Sequence, residues 1–251
     1  MEESLEVLIP STKVEYQIFL NICHPEWKEI LITALKTMDQ NYLFQLIHDK
    51  NWLPGAERLL AAFNLPLTRT QYILLGESPY PRKDSANGYA FWDNSVADLW
   101  SSTGLSKTVN RATSLRNWIK MMLCARGDLG FNTSQADIAL LDKNGLVQTA
   151  QQLFEGMMNK GILLLNASLV YSEGKVPYHA RQWKPFIQSL LEQLVQVKPN
   201  VQLILLGKIA ETAAQNKLPI GLIAEHPYNV SFITNQHVIN FFKPLDLLKY
   251  E

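Results

Sequence analysis

Four short segments hold the side chains best suited to chemistry. The first is Gly76-Glu77-Ser78-Pro79-Tyr80-Pro81, which runs on through Arg82, Lys83 and Asp84 to Gly88-Tyr89-Ala90-Phe91. It sets a carboxylate, a hydroxyl and a phenol side by side, with an aromatic ring further along. The second ends in Leu165-Asn166, the third is Leu206-Gly207-Lys208, and the fourth is Glu225-His226-Pro227-Tyr228. Serine carries no charge at neutral pH and is a poor base, whereas Glu77 and Asp84 supply carboxylates. Asn166 offers one acceptor and two donors, enough to read a polar edge, although an asparagine after a strand also serves as a plain turn cap. A lone histidine is more often structural than catalytic. A histidine at a strand end, followed by proline, is placed to do more. A Ser-His hydrolase fits poorly. Ser78 does not sit in a G-x-S-x-G elbow, and Pro79 obstructs the helix that should follow. Phosphate-loop, dinucleotide and zinc-deaminase signatures are absent.

The elements that must position these groups can be read from apolar patterning. Residues 71–76 read as a buried strand, followed by a long loop over 79–110 and a helix entry at Thr113-Ser114. Further strand-like runs lie at Gly161–Leu165, Val201–Leu206 and Leu222–Ala224. Helical patterns occupy 148–160, 184–197, 208–216 and 238–250, and residues 15–51 read as two helices interrupted at Pro25. A short helix is expected through Leu59, Leu60 and Phe63. Continuous apolar runs alternating with helices predict an α/β fold of three layers, a central, mainly parallel four-stranded sheet flanked by helices. Such sheets place their sites at the carboxyl ends of the strands. Each of the four segments above lies just past such an end. No repeat or composition shift cuts the chain, so one domain over 1–251 is expected, with N-terminal helices over 1–69 and a motif-bearing core over 70–251.

The bulk composition narrows the function classes. The chain has 251 residues, with 23 basic and 23 acidic side chains. A chain of this size buries roughly 70–75% of its unfolded surface and needs no covalent staple. Charge balance argues against broad, non-specific nucleic-acid binding but leaves room for a local basic groove. Cys23 and Cys124 are far apart and lack metal-ligand spacing, so no disulfide scaffold, zinc ribbon or iron–sulfur site is expected. The acidic start lacks a signal-peptide core, and no apolar run nears the ~20 residues that span a bilayer. An intracellular, cytoplasmic protein is the expectation, with a nucleoid or viral replication site as settings.

Residues 76–91 resemble the water-activating motif of uracil-DNA glycosylases, written G-Q-D-P-Y-H and followed by G-x-A-F. The segment ending in Asn166-Ala167-Ser168 resembles that family's L-L-L-N motif, and His226-Pro227-Tyr228-Asn229-Val230-Ser231 resembles its H-P-S-P-L-S loop. The resemblance implies the uracil-DNA glycosylase fold and excision of uracil, or a related pyrimidine, from DNA. It implies that Asn166 pairs with the N3–H and O4 edge of uracil, and that His226 hydrogen-bonds O2 as charge grows on the leaving base. Phe91 would stack on the flipped base, and Tyr80 would wall the pocket against a thymine methyl. Val230 would be the wedge that fills the vacated stack, where the family usually has leucine. Ser114 and Ser231 match serines that pinch phosphates, Tyr228 replaces a third, and Arg82 and Lys83 are nearby basic candidates. Members of the family act without metal or organic cofactor. DNA is the implied partner, with a replication or polymerase protein as a further one, no membrane, and a monomeric state. Pro-Tyr-Pro, His179-Ala180 before Trp183, and Leu206-Gly207-Lys208 are similar to poxviral members, while the Gly-Glu beginning looks like the iron–sulfur branches.

The departures fall at the chemical centre. The family's aspartate is Ser78 here, its glutamine is Glu77 and its histidine is Pro81. General-base assistance typically supplies about 10²–10⁴-fold, or roughly 3–5 kcal/mol. Three readings follow: a slow glycosylase in which Glu77 can stand in for the missing carboxylate, a catalytically silent DNA-binding or polymerase-accessory module, and a glycosylase for a modified pyrimidine.

Overall fold

The computed structural model describes residues 16–130, 132–209 and 217–250. Three short helices come first: α1 (Gln17–Leu20), α2 (Lys28–Lys36) and α3 (Gln40–His48). Pro25 opens a 3₁₀ turn before α2, as a break there requires. The second break was not expected. Asp39 accepts hydrogen bonds from the Asn41 and Tyr42 backbone amides and so starts a new helix. The helix expected around Leu59 and Phe63 is two 3₁₀ turns, Ala56–Arg58 and Ala61–Asn64.

Strand β1 (Tyr72–Gly76) follows, then a hairpin of β2 (Trp100–Ser101) and β3 (Gly104–Leu105). Next come α4 (Lys107–Arg111), α5 (Thr113–Arg126), α6 (Gln135–Leu140) and α7 (Ala150–Asn159). The loop expected over 79–110 therefore contains the hairpin and most of α4, which Ser106 caps through the Val109 amide. A reciprocal capping box between Thr149 and Gln152 fixes the start of α7. Strand β4 (Ile162–Asn166), α8 (Val176–Val197), β5 (Gln202–Leu206), β6 (Ile220–Ala224) and α9 (Gln236–Phe242) complete the order.

Two helices depart from expectation. Helix α8 begins eight residues before 184 and runs through Pro185. An interior proline costs about 3 kcal/mol. Here His179, Trp183, Phe186, Leu190 and Leu194 bury one continuous helical stripe, and that packing outweighs the cost. The C-terminal helix expected over 238–250 stops at Phe242. Pro244 turns the chain into a 3₁₀ turn, and Asp246 then takes a left-handed conformation. The helix expected over 208–216 falls outside the described residues from 210 onward.

The sheet has the order β4-β1-β5-β6, with every neighbouring pair parallel. Alternate side chains feed two cores. Ile73, Leu75, Leu163, Leu165, Leu203 and Leu205 pack with Trp27, Leu31, Phe63, Trp183 and Phe186 on the side of α2, α3 and α8. Leu74, Ile162, Leu164, Ile204 and Leu206 pack with Trp118, Met121, Phe154, Phe232 and Phe242 on the side of α5, α7 and α9. Burial on both faces is why these strands read as unbroken apolar runs. No helix among the described residues is long and apolar enough to cross a membrane.

Candidate active site

The site forms where three strands of this sheet give out. Gly76 and Asn166 are register partners at the ends of β1 and β4. Past that pair the chains stay locked together, because the Ala167 amide donates to the Gly76 carbonyl at 2.8 Å and the Ser168 amide to the Glu77 carbonyl at 2.9 Å. Glu77 and Ser78 therefore leave the sheet from a fixed edge. Glycine is required at 76 because a Cβ there would lie 2.6 Å from Asn166 Oδ1 and 2.9 Å from Ala90 Cβ, while Phe91 Cε2 would stand at an ordinary 3.5 Å. The same figures place the Asn166 side chain and the Phe91 ring against one stretch of backbone.

Phe91 holds a left-handed φ of 63°, which is uncommon for a bulky residue and stores strain where it occurs. Its carbonyl accepts the Tyr80 hydroxyl at 3.2 Å, and the neighbouring Ala90 amide donates to the Leu164 carbonyl at 3.0 Å. The ring stacks towards His226, centroids 5.9 Å apart at 28°, and meets Trp118 edge-on at 5.3 Å. Burial, helped by the Asp93 carboxylate, pushes the Tyr80 phenol up to about 12, so it stays a donor at neutral pH. Asp93 is itself buried, and it accepts from Ser95 at 2.6 Å and Arg82 at 3.1 Å.

His226 stands past the end of β6. Gly207, at φ 78° after β5, leaves room for it, since a Cβ on Gly207 would come within 2.9 Å of the His226 Cβ. The Tyr228 amide donates to His226 Nδ1 at 3.1 Å. With Nδ1 accepting, the proton of the neutral ring resides on Nε2. Burial lowers the His226 pKa below its ordinary value, against the opposing pull of the Glu77 carboxylate, so the neutral ring prevails at pH 7. The loop is pinned from below by Asn117 of α5, which is 1% exposed. Its Nδ2 donates to the Pro227 carbonyl at 2.8 Å and lies 3.2 Å from that of Tyr228.

Asn166 carries an unsatisfied polar group at the end of β4. It is 2% exposed, and its Nδ2 has no hydrogen-bond partner. Leaving a buried donor unpaired costs about 1–3 kcal/mol, so such a group in a folded protein calls for an explanation. Among the described residues only Trp118 Nε1 and His179 Nε2 share that condition. A free amide beside an aromatic ring, with a neutral histidine donor close by, can hold a flat heterocycle that has both a donor and an acceptor on one edge.

A model of the uracil DNA glycosylase superfamily matches residues 64–251. The chain belongs to that superfamily. The crystal structure of the wild-type UNG from Nitratifractor salsuginis is 43% identical, with a TM-score of 0.88 over 94% of this chain and 96% of that one. A uracil-DNA glycosylase from Aliivibrio salmonicida is 26% identical over 238 residues, which is 89% of this chain and 92% of the relative. The mimivirus uracil-DNA glycosylase, at 18% identity and a TM-score of 0.57, shares the fold.

Within this glycosylase superfamily frame, the structure gathers Glu77, Ser78, Tyr80, Phe91, Asn166 and His226 at one sheet edge. Ser78 is half-buried, and its hydroxyl has no hydrogen-bond partner among the described residues; Glu77 is exposed. The residues expected to meet DNA are more scattered. Ser114 lies in the first turn of α5, half-buried. Val230 is 71% exposed and opens a 3₁₀ turn, Val230–Thr234. Ser231 is exposed, but its hydroxyl donates to the Glu225 carboxylate, which also accepts from Asn235 at 3.3 Å. Arg82 is tied to Asp93 and Ser85 within its own loop, and Lys83 is exposed. Sequence reasoning missed Asn117, Asp93 and Glu225 as organisers. Asn117 lies 110 residues from Pro227, and nothing local marks such a pair.

Proposed function

We propose that this protein is a DNA glycosylase that flips uracil, or a closely related pyrimidine, out of DNA and hydrolyses its N-glycosidic bond, at a rate limited by Ser78. The observation that carries the reading is the buried, unpaired amide of Asn166 set beside Phe91, whose ring stacks towards His226. Uracil offers that amide an N3–H for Oδ1 and an O4 for Nδ2. Cytosine presents the opposite pattern and would leave polar groups stranded. As the bond from the sugar C1′ to the base N1 breaks, the electron pair moves onto the base. The His226 Nε2–H donates to O2, where the charge collects. Neutral imidazole suits this role because it needs no proton transfer. Water then bonds to C1′ and loses its proton to solvent, with the Ser78 hydroxyl accepting a hydrogen bond from it. Stacking on Phe91, worth roughly 1–3 kcal/mol per base, offsets much of the few kcal/mol needed for extrusion.

The proposal extends to the finer family placement. The motif register over 76–91 supports the G-Q-D-P-Y-H branch, with the Pro-Tyr-Pro and Leu-Gly-Lys segments as poxviral-like traits. A single functional unit over 1–251, acting as a monomer on DNA without metal or organic cofactor, belongs to the same reading.

The test is timed cleavage of an oligonucleotide carrying one uracil, with wild type and Ser78→Asp side by side. The wild type should release uracil slowly, and aspartate should speed release by about 10²–10⁴-fold, the usual span of general-base help. If neither protein makes abasic product while both bind the oligonucleotide, the hydrolase reading fails and the silent binding module takes its place.

A further inference from the structure

The His226 loop presents a second feature that the base pocket does not use. Tyr228 is 65% exposed, and among the described residues its ring packs on no other aromatic ring. Exposure of a tyrosine on a mobile tip would mean little. This backbone is held on three sides: the Tyr228 amide donates to His226 Nδ1, its carbonyl lies within reach of the buried Asn117 amide, and the Asn229 amide donates to the His226 carbonyl at 2.9 Å. The ring is thus offered from a fixed platform, two residues from the histidine that faces the leaving base. Residues 226–232 carry no formally charged side chain at neutral pH, so the tip is not built to attract phosphate by charge.

We infer that Tyr228, rather than Val230, is the side chain that enters the DNA stack beside the flipped nucleotide and holds the duplex open. The inference rests on the glycosylase reading above and adds a preference for how duplex DNA is engaged. A nucleotide that leaves the helix exposes the π-faces of its neighbours. An aromatic ring restores that contact, worth roughly 1–3 kcal/mol per base, whereas valine has no π-face and is shorter and stiffer. Because the loop is already ordered, little conformational freedom is lost on insertion. Tyr228 occupies a place where the family resemblance expects a phosphate-pinching serine, so one position has exchanged a backbone contact for a stacking one.

The experiment compares kcat/KM for one uracil in single-stranded and in duplex DNA, for wild type, Tyr228→Ala, Tyr228→Phe and Val230→Ala. Tyr228→Ala should lower the duplex value about 5- to 150-fold more than the single-strand value, which is 1–3 kcal/mol at 1.36 per decade. Tyr228→Phe should keep the duplex value within about twofold of wild type, because the π-face survives. Equal losses on both substrates for Tyr228→Ala would overturn the inference, as would a Phe variant as poor as Ala, which would mean that the hydroxyl contacts a phosphate. A larger duplex loss in Val230→Ala than in Tyr228→Ala would also overturn it. A parallel measurement separates this inference from the glycosylase reading. With 2-aminopurine next to the uracil, wild type and Tyr228→Phe should change its fluorescence alike on binding and Tyr228→Ala should differ, because the ring that stacks on the probe is gone; equal changes in all three would overturn the inference. If wild type cleaves neither substrate, the glycosylase reading fails while this signal still decides the role of Tyr228.

Discussion

Asn166→Ala should separate stability from function. The Asn166 Nδ2 is buried and unpaired in the free protein, a condition that costs about 1–3 kcal/mol. Alanine removes the stranded donor. It also gives up the packing of one small polar group, on the order of 1 kcal/mol. The net expectation is a change of about zero to +2 kcal/mol, and for a chain of this size each kcal/mol moves Tm by roughly 2–4 °C. Tm should therefore hold or rise by up to about 8 °C. The reaction should suffer in the opposite sense. Bound uracil would face the gap with N3–H and O4 both unpaired, at about 1–3 kcal/mol each. That is a loss of about 30-fold to 3 × 10⁴-fold in uracil release. Calorimetry and the oligonucleotide assay, run on the same preparation, read both quantities. A fall in Tm of more than about 4 °C would refute the reasoning, because it would mean that the amide holds the sheet edge together. Retained excision would refute it equally.

Three further outcomes follow from the same contacts. Glu225→Gln removes a negative charge that engages Ser231, so DNA affinity should tighten by about 0.2–1 kcal/mol at low salt and the gain should fade as salt rises; weaker binding in a low-salt titration would show that Glu225 orients Ser231 usefully. Asn117→Leu leaves loop carbonyls without their donor, so Tm should drop by roughly 2–10 °C, and kcat should fall more than affinity for single-stranded DNA because His226 loses its placement; proportionate losses in both would mark a purely structural role. Burial holds the pKa of His226 and of His179 below 6.5, with Lys175 adding to the second. The folded chain then binds fewer protons than the unfolded chain just below that value, so this stability is complete above about pH 6.5 and is lost as pH falls. Tm measured from pH 7 down to 5 should decline, and a rise in either His226→Gln or wild type would contradict the sign.

How much of this was legible beforehand depended on how far each signal reaches along the chain. The strands β1, β4 and β5 could be read because burial on both faces writes itself as an apolar run, and the position of Asn166 followed directly from where its run stops. The pocket glycines were visible as residues but not as reasons: Gly76 is needed because of Asn166 and Ala90, each at least 14 positions away. Helix α8 was read short because Pro185 looks like a breaker locally, while the stripe from His179 to Leu194 that overrides it is a tertiary matter. The C-terminal helix was read long because the apolar spacing continues past Pro244. Asn117 and Glu225 were invisible as organisers, since a polar residue inside a helix or after a strand gives no hint of the backbone it will meet.

The shared turn of α5 has a mechanical meaning. Ser114 and Asn117 are three residues apart, on the same side of that helix, one expected to meet the DNA backbone and the other tied to the His226 loop. One turn of helix thus joins the first position to the backbone of the His226 loop. On the glycosylase reading proposed above, grip on the strand and placement of the His226 donor would therefore share that one turn of helix. On that same reading, a strand seated badly would disturb the histidine as well, and hydrolysis would slow without any separate proofreading step.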